Sequence, residues 1–523
     1  VREQRVGCAA VDAPLWAGLV AAAPLVALGV LVLATRASLA ASAWAVVVLT
    51  AILAFTRFGL GLTPLLLAMG KGAWTGVWIL LIVIPALLLY QVMDSSGALD
   101  VLSDALSTVA PTRGRLLLLV GWAFPSFLQG MAGFGVPVVV AAPMLVRAGI
   151  PSITAVAACL VGYHWSVTFG SMGSSFFVAA GVAQLDAQAT SAFALRASTM
   201  LAVLCLVAGL ILLLGWARDE LRTAIPRALA VGAAMGGTLV GVAALAPALA
   251  STAAGLAGLG AAALLLPTRG TRPAWRRLLR TAAPYLILTA MVVITFGVPP
   301  VRELASRVPA IAPSFPVTRA AFGHVNEAIS AHQPLRPLLH AGPYLLVAAA
   351  IGAVLYRRLD GRGLATLPYP ARTVLTPWAH RSFGTAVSLL GLTVLAGVMV
   401  DAGMIEAMAQ ALTRALGPAY AVIAPAVGAV GTIMTGSTTA SNALLAPLQA
   451  SAAARLGLSA PALLAAQTVG GNIGNVLTPV NALVAVMAAG SDGEVGAVLR
   501  KAALPALLLL LVASAATAIL TLR

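Results

Sequence analysis

The chain has 523 residues, of which 61% are hydrophobic and only 9% charged, against roughly 25% charged in ordinary soluble domains. So few charges cannot dress a water-soluble surface, and apolar runs such as Leu19 to Leu33 and Leu201 to Leu214 lack the alternation of a transmembrane barrel. The net charge of +16 would suit nucleic acid, but the arginines fall in short stretches between apolar segments, such as Arg218, Arg222 and Arg227, with no aromatic-interleaved basic patch; that is the pattern of cytoplasmic loops.

Arg2 and Arg5 precede the first apolar segment, and no small-residue cleavage site leads into a soluble domain. The segment therefore reads as the first membrane helix rather than a secretion signal. In chain order, apolar segments near 14–34, 40–55, 58–70, 73–93, 115–129, 151–180, 194–216, 228–250, 252–267, 281–297, 341–356, 382–400, 418–435, 461–488 and 502–521 predict an all-α polytopic protein of the cell membrane with roughly 11 to 14 crossings. Pro299 to His340 is the longest polar connection; it is too short for an enzymatic domain and reads as an external cap or ordered loop. Cys8, Cys159 and Cys205 form no CxxC pair, so no zinc site or disulfide framework is expected.

Internal similarity is more informative than hydropathy. VMDSSGALDVLSDAL (Val92 to Leu106) resembles VMVDAGMIEAMAQAL (Val398 to Leu412) at an offset of 306, which also superposes Gly130 on Gly436. Gly149 and Gly162 correspond to Gly457 and Gly470 at an offset of 308. The organisation expected is N-terminal helices (1–72), a first repeat (73–181), middle helices with basic loops and the polar loop 299–340 (182–380), a second repeat (381–488) and a C-terminal helix (489–523). Duplicated membrane halves are characteristic of secondary transporters, whose site lies at the repeat interface. Basic residues precede both equivalent helices (Arg57 and Lys71; Arg372 and Arg381), which taken alone favours the same orientation for both halves; a helix count off by one reverses that.

Each half carries two polar interruptions. The first-half break, Gln129 to Pro137, contains Gly130, Gly133, Phe134 and Gly135. Its counterpart is Gly436-Ser437-Thr438-Thr439-Ala440-Ser441-Asn442. Backbone broken at membrane depth is tolerated only when buried in protein or lining a cavity, and hydroxyls, an amide and helix N-termini can hold a carboxylate without a fixed cation. Close helix packing is the plainer alternative for Gly, Ser and Thr. The second pair of interruptions brings Thr168 and Ser171 in one half, Asn472 and Asn475 in the other. His164 is the histidine inside a predicted span and a candidate for proton coupling, the alternative being a neutral, hydrogen-bonded structural imidazole. Asp94 and Asp401 read as interfacial caps near the ends of equivalent helices, while Asp100 and Glu406 align on a short amphipathic surface helix. Arg147 and Arg455 fall at segment edges, where long side chains reach the interface.

No P-loop, HExxH, nucleophile elbow or metal-ligand cluster is present, so neither an enzyme nor a cofactor is expected and transport must run on an ion or substrate gradient. A channel is expected to show a ring of charges, which the sequence lacks.

At these same residues the sequence resembles the L-lactate permease family, which includes glycolate permeases. GMAGFGVPVVVAAPMLVRAGIPSITAVAACLVGYHWSVTFGSMG (Gly130 to Gly173) is similar to that family's GxxGFGxPV segment and downstream TFG break. GSTTASNALLAPLQ (Gly436 to Gln449) and QTVGGNIGNVLTP (Gln467 to Pro479) are similar to its second-half signature. The resemblance implies a carrier for L-lactate or a related 2-hydroxy monocarboxylate coupled to protons or sodium, with proton symport the first expectation. It also implies inverted repeats, each with a re-entrant hairpin and a broken helix, as in the wider ion-transporter superfamily. Many members carry an acid where this chain has Gln129, and some a lysine where it has Asn475, which leaves open another small organic anion or another coupling ion. A homodimer is also left open.

Overall fold

The computed structural model describes residues 13–34, 38–98, 112–131, 136–265, 281–358 (apart from 282, 285, 289, 292, 293, 296 and 297), 371–489 and 494–521. Without water to bond to, backbone in a bilayer must satisfy itself within helices, and these segments are helical apart from turns and the connection 307–340. Nine described helices are long and apolar enough to cross a membrane, ten if the pair Ser152–Ser166 and Gly170–Val182, bent by 54°, is one span. Three shorter apolar helices, Leu15–Leu31, Pro137–Arg147 and Gly342–Tyr356, bring the architecture into the expected range.

Helices α1 (Leu15–Ala34) and α2 (Leu39–Thr56) lead into a first half. It consists of α3 (Leu62–Ser95), α4, α5 (Val136–Arg147), α6 (Ser152–Tyr163) and α7 (Gly170–Val182). Helix α4 runs from Arg113–Leu118 through a π-helical turn, Leu119–Ala123, into Phe124–Met131. The middle of the chain forms α8 (Ala187–Trp216), α9 (Leu221–Leu245) and α10 (Ala250–Leu265). Next come α11 (Pro299–Ser306), the two-residue strands β1 (Thr318–Arg319) and β2 (Val325–Asn326), and α12 (Ala341–Arg358). The second half holds α13 (Ala371–Asp401), α14 (Met404–Leu416), α15 (Tyr420–Thr435), α16 (Thr438–Leu456), α17 (Ala460–Val476) and α18 (Pro479–Ala488). Helix α19 (Val495–Thr521) closes the chain.

The two halves repeat one plan. Helices α4 and α5 fold into an antiparallel hairpin, with the Gly121 backbone facing the Leu145 side chain. In the second half, Ser441 Oγ of α16 donates to the Gly428 carbonyl of α15 (3.0 Å), and Tyr420 Oη donates to Gln449 Oε1 (3.0 Å). Each hairpin is crossed by the next helix at one glycine. A Cβ at Gly162 would fall inside the Gly121 carbonyl oxygen, and one at Gly470 inside that of Pro425. These are the glycines paired by the offset of 308, so sequence spacing and packing agree at the same crossing. The position equivalent to α14, including Asp100, lies outside the described residues.

Equivalent helices α3 and α13 run antiparallel. Lys71 meets Asp401, Gly76 faces Leu390, and Trp378 Nε1 donates to the Ile84 carbonyl (3.0 Å). The repeats are therefore inverted, as the resemblance implied and the basic-residue reading did not. That reading failed because Lys71 is no loop charge. It is 4% exposed and paired to Asp401 inside the protein, so it carries no weight in the positive-inside count. Asp401, for the same reason, is not an interfacial cap.

Within the apolar windows of α3 and of Ala460–Val486, 72% of residues are buried, against 22% in α19; the former are central and the latter faces lipid. The connection before α12 is an ordered cap. The pairing of β1 with β2 and the isolated bridges Ile311–Leu335 and Phe315–Ile329 give it a hairpin core. It docks on the helices through Ala321 N–H to the Phe58 carbonyl (2.7 Å), Trp74 Nε1 to the Gln333 carbonyl (3.1 Å) and Gln333 Nε2 to the Gly181 carbonyl (2.6 Å).

Overpacking a tight contact typically costs about 1–3 kcal/mol. Gly162→Ala and Gly470→Ala should each lower the melting temperature of the purified protein, whereas Gly237→Ala, where a Cβ meets open space, should not. Equal tolerance of all three would contradict the paired crossings.

Candidate functional site

Helix α6 stops at Tyr163, and the chain reaches α7 through an irregular stretch whose freed carbonyls each find a donor. Val161 accepts from His164 Nδ1 (2.6 Å), Tyr163 from Ser166 Oγ (2.6 Å) and Ser166 from Ser251 Oγ of α10 (2.6 Å). Trp165 accepts from Asn472 Nδ2 of the other half (3.3 Å), and Thr168 from the Phe176 amide (3.1 Å). Ser171, Met172 and Gly173 then follow one another in the left-handed region, with φ of 46°, 57° and 77°. For Ser171 and Met172 this costs roughly 1–2 kcal/mol each, and such strain is concentrated at functional sites.

Several polar side chains join the two halves through this break. Thr168 Oγ1 bonds Thr468 Oγ1 (2.9 Å) and donates to Asn472 Oδ1 (3.0 Å). Asn442 Nδ2 donates to the Ser175 carbonyl (3.0 Å) and to Thr468 Oγ1 (2.9 Å), and Ser175 Oγ bonds Thr439 Oγ1 (2.8 Å). All these side chains are buried.

Beside this clamp lies a cavity of ≈ 390 Å³, part of it open, lined by Gln129, Val167, Ser171, Ser174, Ser175, Gly436, Ser437, Thr438, Thr439, Asn475 and Asn481. Both hairpin tips and both broken helices contribute, so the four interruptions expected from sequence do converge. Ser437 is the N-cap of α16, accepting from the Ala440 amide, so the first turn of that helix presents its partial positive charge to the cavity. Gln129 Oε1 and Thr438 Oγ1 are buried there without a hydrogen-bond partner. Asn481 Nδ2 donates to Asn475 Oδ1, which orients that amide pair. The lining includes no ionisable side chain.

Of the residues singled out from sequence, Ser171, Ser437, Thr438, Thr439 and Asn475 line the cavity. Thr168, Asn442 and Asn472 are committed to the clamp, and Ser441 is committed within its own half, to Gly428 and Gln467. Gly130 packs against Thr252 of α10. Gly133, Phe134 and Gly135 lie outside the described residues. His164 is fully buried with Nε2 unpartnered and is not part of the lining. Arg147 is exposed, while Arg455 pairs with Glu406 at 2.6 Å. Sequence reasoning missed Gln129, Ser174, Ser175 and Asn481 as lining residues.

Comparison with known proteins gives concordant results. Residues 17–522 match the L-lactate permease family. An L-lactate permease of Salmonella typhi is 27% identical over 498 residues, covering 87% of this chain and 86% of that protein. The glycolate permease GlcA of Escherichia coli is 26% identical over 493 residues, covering 86% and 85%. Among solved structures, the YdaH transporter of Alcanivorax borkumensis aligns over 86% of each chain with 19% identity and a TM-score of 0.45. The chain is a multi-pass membrane transporter, not an enzyme, and belongs to the L-lactate permease family.

Proposed function

We propose that the protein carries L-lactate, glycolate or a closely related 2-hydroxy monocarboxylate across the cell membrane by proton symport, with 73–181 and 381–488 as the transport repeats and the remaining segments as scaffold. The observation that supports this reading most directly is the uncharged cavity between the halves, with a helix N-terminus and two unpartnered polar side chains turned into it. A bare carboxylate in hydrocarbon is prohibitively unstable, so donors must replace its water. In this reading Ser437, Thr438 and Asn475, with the first-turn amides of α16, receive the carboxylate. The unpartnered Gln129 Oε1 accepts from the substrate's 2-hydroxyl. The names of the relatives, which include lactate and glycolate permeases, support the same substrate class. One proton moving with each anion keeps the crossing electroneutral, and the imposed-gradient experiment below separates this from coupling to one sodium ion.

Uptake of labelled L-lactate, D-lactate and glycolate into proteoliposomes under imposed pH or sodium gradients tests the reading; no uptake of any of the three would end it. A hydrogen bond to a charged group contributes about 1.5–3 kcal/mol, so Thr438→Val and Asn475→Ala should each raise the apparent KM for lactate roughly ten- to a hundredfold while leaving the melting temperature near wild type. Thr168→Val, in the clamp, should lower the melting temperature instead. Gln129→Leu should erode the preference for lactate over propionate, because only lactate has a hydroxyl to offer.

His164 remains the candidate proton carrier in the broken helix, its Nδ1 bonded to Val161 and its Nε2 free. His164→Gln should lower proton-driven uptake more than lactate-for-lactate exchange. An equal effect on both, or none, would make the imidazole structural, serving only to satisfy the Val161 carbonyl.

A further inference from the structure

A second cavity of ≈ 390 Å³, part of it open, lies beneath the cap, with Lys71, Thr75, Val182, His332, Asp401 and Pro447 in its wall. It shares two elements with the central cavity. Val182 stands eight residues beyond Ser174 on α7 and Pro447 nine beyond Thr438 on α16, so the two cavities are separated by about 12–14 Å along those helices. The second one is therefore on the cap side of the first.

Its chemistry differs from that of the central cavity, because it contains a cation. Lys71 Nζ lies 2.8 Å from Asp401 Oδ2, the side chains being 5% and 4% exposed. No ion pair among the described residues is more deeply buried; Glu406 and Arg455 are 11% and 18% exposed. A buried pair of this kind is weak as a device for stability, since desolvating two charges offsets their attraction. It sits at the antiparallel crossing of α3 and α13, the equivalent first helices of the two halves. The cap supplies its outer wall, with the Phe315 ring 5.6 Å from Lys71 Nζ and His332 Nε2 3.0 Å from Thr75 Oγ1. Burial, with a further push from the Lys71 charge, holds the His332 pKa below its ordinary value, so this imidazole is neutral at physiological pH and adds no second cation. His324, also on the cap, packs against Gly403, two residues beyond Asp401. Val182 of α7 and Pro447 of α16 bring no titratable group. The Asp401 backbone carbonyl accepts from Asn326 Nδ2 of the cap (2.9 Å), tying the pair to the cap's position.

The Asp401 side chain is itself a small carboxylate bound to an ammonium, and so marks where another carboxylate would bind. We propose that this cavity is a second proton and carboxylate site on the route between the cap and the central cavity, where a proton on Asp401 releases Lys71 and the carboxylate of the transported acid takes its place as partner of the ammonium. The charges balance. Before the exchange Lys71 and Asp401 sum to zero; afterwards Lys71 and the bound anion sum to zero beside a neutral Asp401. One proton and one carboxylate enter together, and neither enters alone without leaving a net buried charge. The proposal rests on the transport of a monocarboxylate argued above.

The test is transport of labelled L-lactate in proteoliposomes, with unlabelled acetate as a competing carboxylate. Uptake by the unaltered protein under the same conditions separates a failure of the transport reading from a failure of this proposal. Asp401→Asn should reduce uptake driven by a proton gradient on the order of tenfold more than it reduces lactate exchange, and should flatten the pH dependence of acetate competition. Because that variant leaves Lys71 buried without a counter-charge, a second variant, Lys71→Met with Asp401→Leu, removes both charges and should fold. Its apparent KM for lactate should rise about tenfold. Proton-driven uptake surviving undiminished in either variant would overturn the proposal. So would failure of the doubly substituted chain to fold, since the pair would then be a structural requirement.

Discussion

The constraint on which the rest of the structure depends is that backbone interrupted at membrane depth must still bond every polar group it frees. At the break between α6 and α7 the carbonyls of Val161, Tyr163, Trp165, Ser166 and Thr168 are reached by donors from the same stretch, from α7, from α10 and from the opposite half. Asn472 crosses from the other repeat to do this, and Asn442 crosses to the Ser175 carbonyl just beyond the break, so satisfying the break and joining the halves go together. Several buried polar atoms stay without a partner, Asn442 Oδ1 of the clamp and His164 Nε2 among them, and two belong to residues in the wall of the central cavity. Gln129 Oε1 and Thr438 Oγ1 face the central cavity without partners, and an unpaired buried polar atom costs about 1–3 kcal/mol. A ligand with a carboxylate and an adjacent hydroxyl relieves that cost.

Charge follows the same economy. Among the described residues, the lining of the central cavity includes no ionisable side chain, while the buried ion pairs Lys71 with Asp401 and Arg455 with Glu406 lie elsewhere. A fixed cation at the cavity would hold an anion tightly in every state of the cycle. Neutral donors and a helix terminus bind through short-range contacts that a modest rearrangement can break. Gln129 and Asn475 belong to this neutral scheme.

Much of this was legible in the sequence. The helical class followed from composition, the repeat from spacing, and the convergence of four interruptions from the equivalence of Gly130 and Gly436. The glycine pair Gly162 and Gly470 was legible as a repeat correspondence, but that both mark helix crossings is visible only in the packing. What was not legible is which polar residue serves which duty. Thr168 and Ser171 are three residues apart and chemically alike, yet one clamps the halves and the other lines the cavity, because the helix breaks between them and its two parts bend by 54°. Nor could the role of Lys71 be read locally. Its partner Asp401 lies 330 residues away, and only the antiparallel crossing of α3 and α13 makes a supposed loop charge into a buried one.

The central claim is that the substrate's carboxylate rests in the uncharged cavity between the halves. It is tested most directly by substrate protection of cysteines placed there. In a chain freed of Cys8, Cys159 and Cys205, Ser174→Cys and Ser437→Cys report from opposite halves on the same space. At lactate concentrations that saturate uptake, modification of both thiols by a small charged thiosulfonate should be slowed together. Modification rates unchanged by lactate at both positions would contradict the account and place the bound anion elsewhere in the protein.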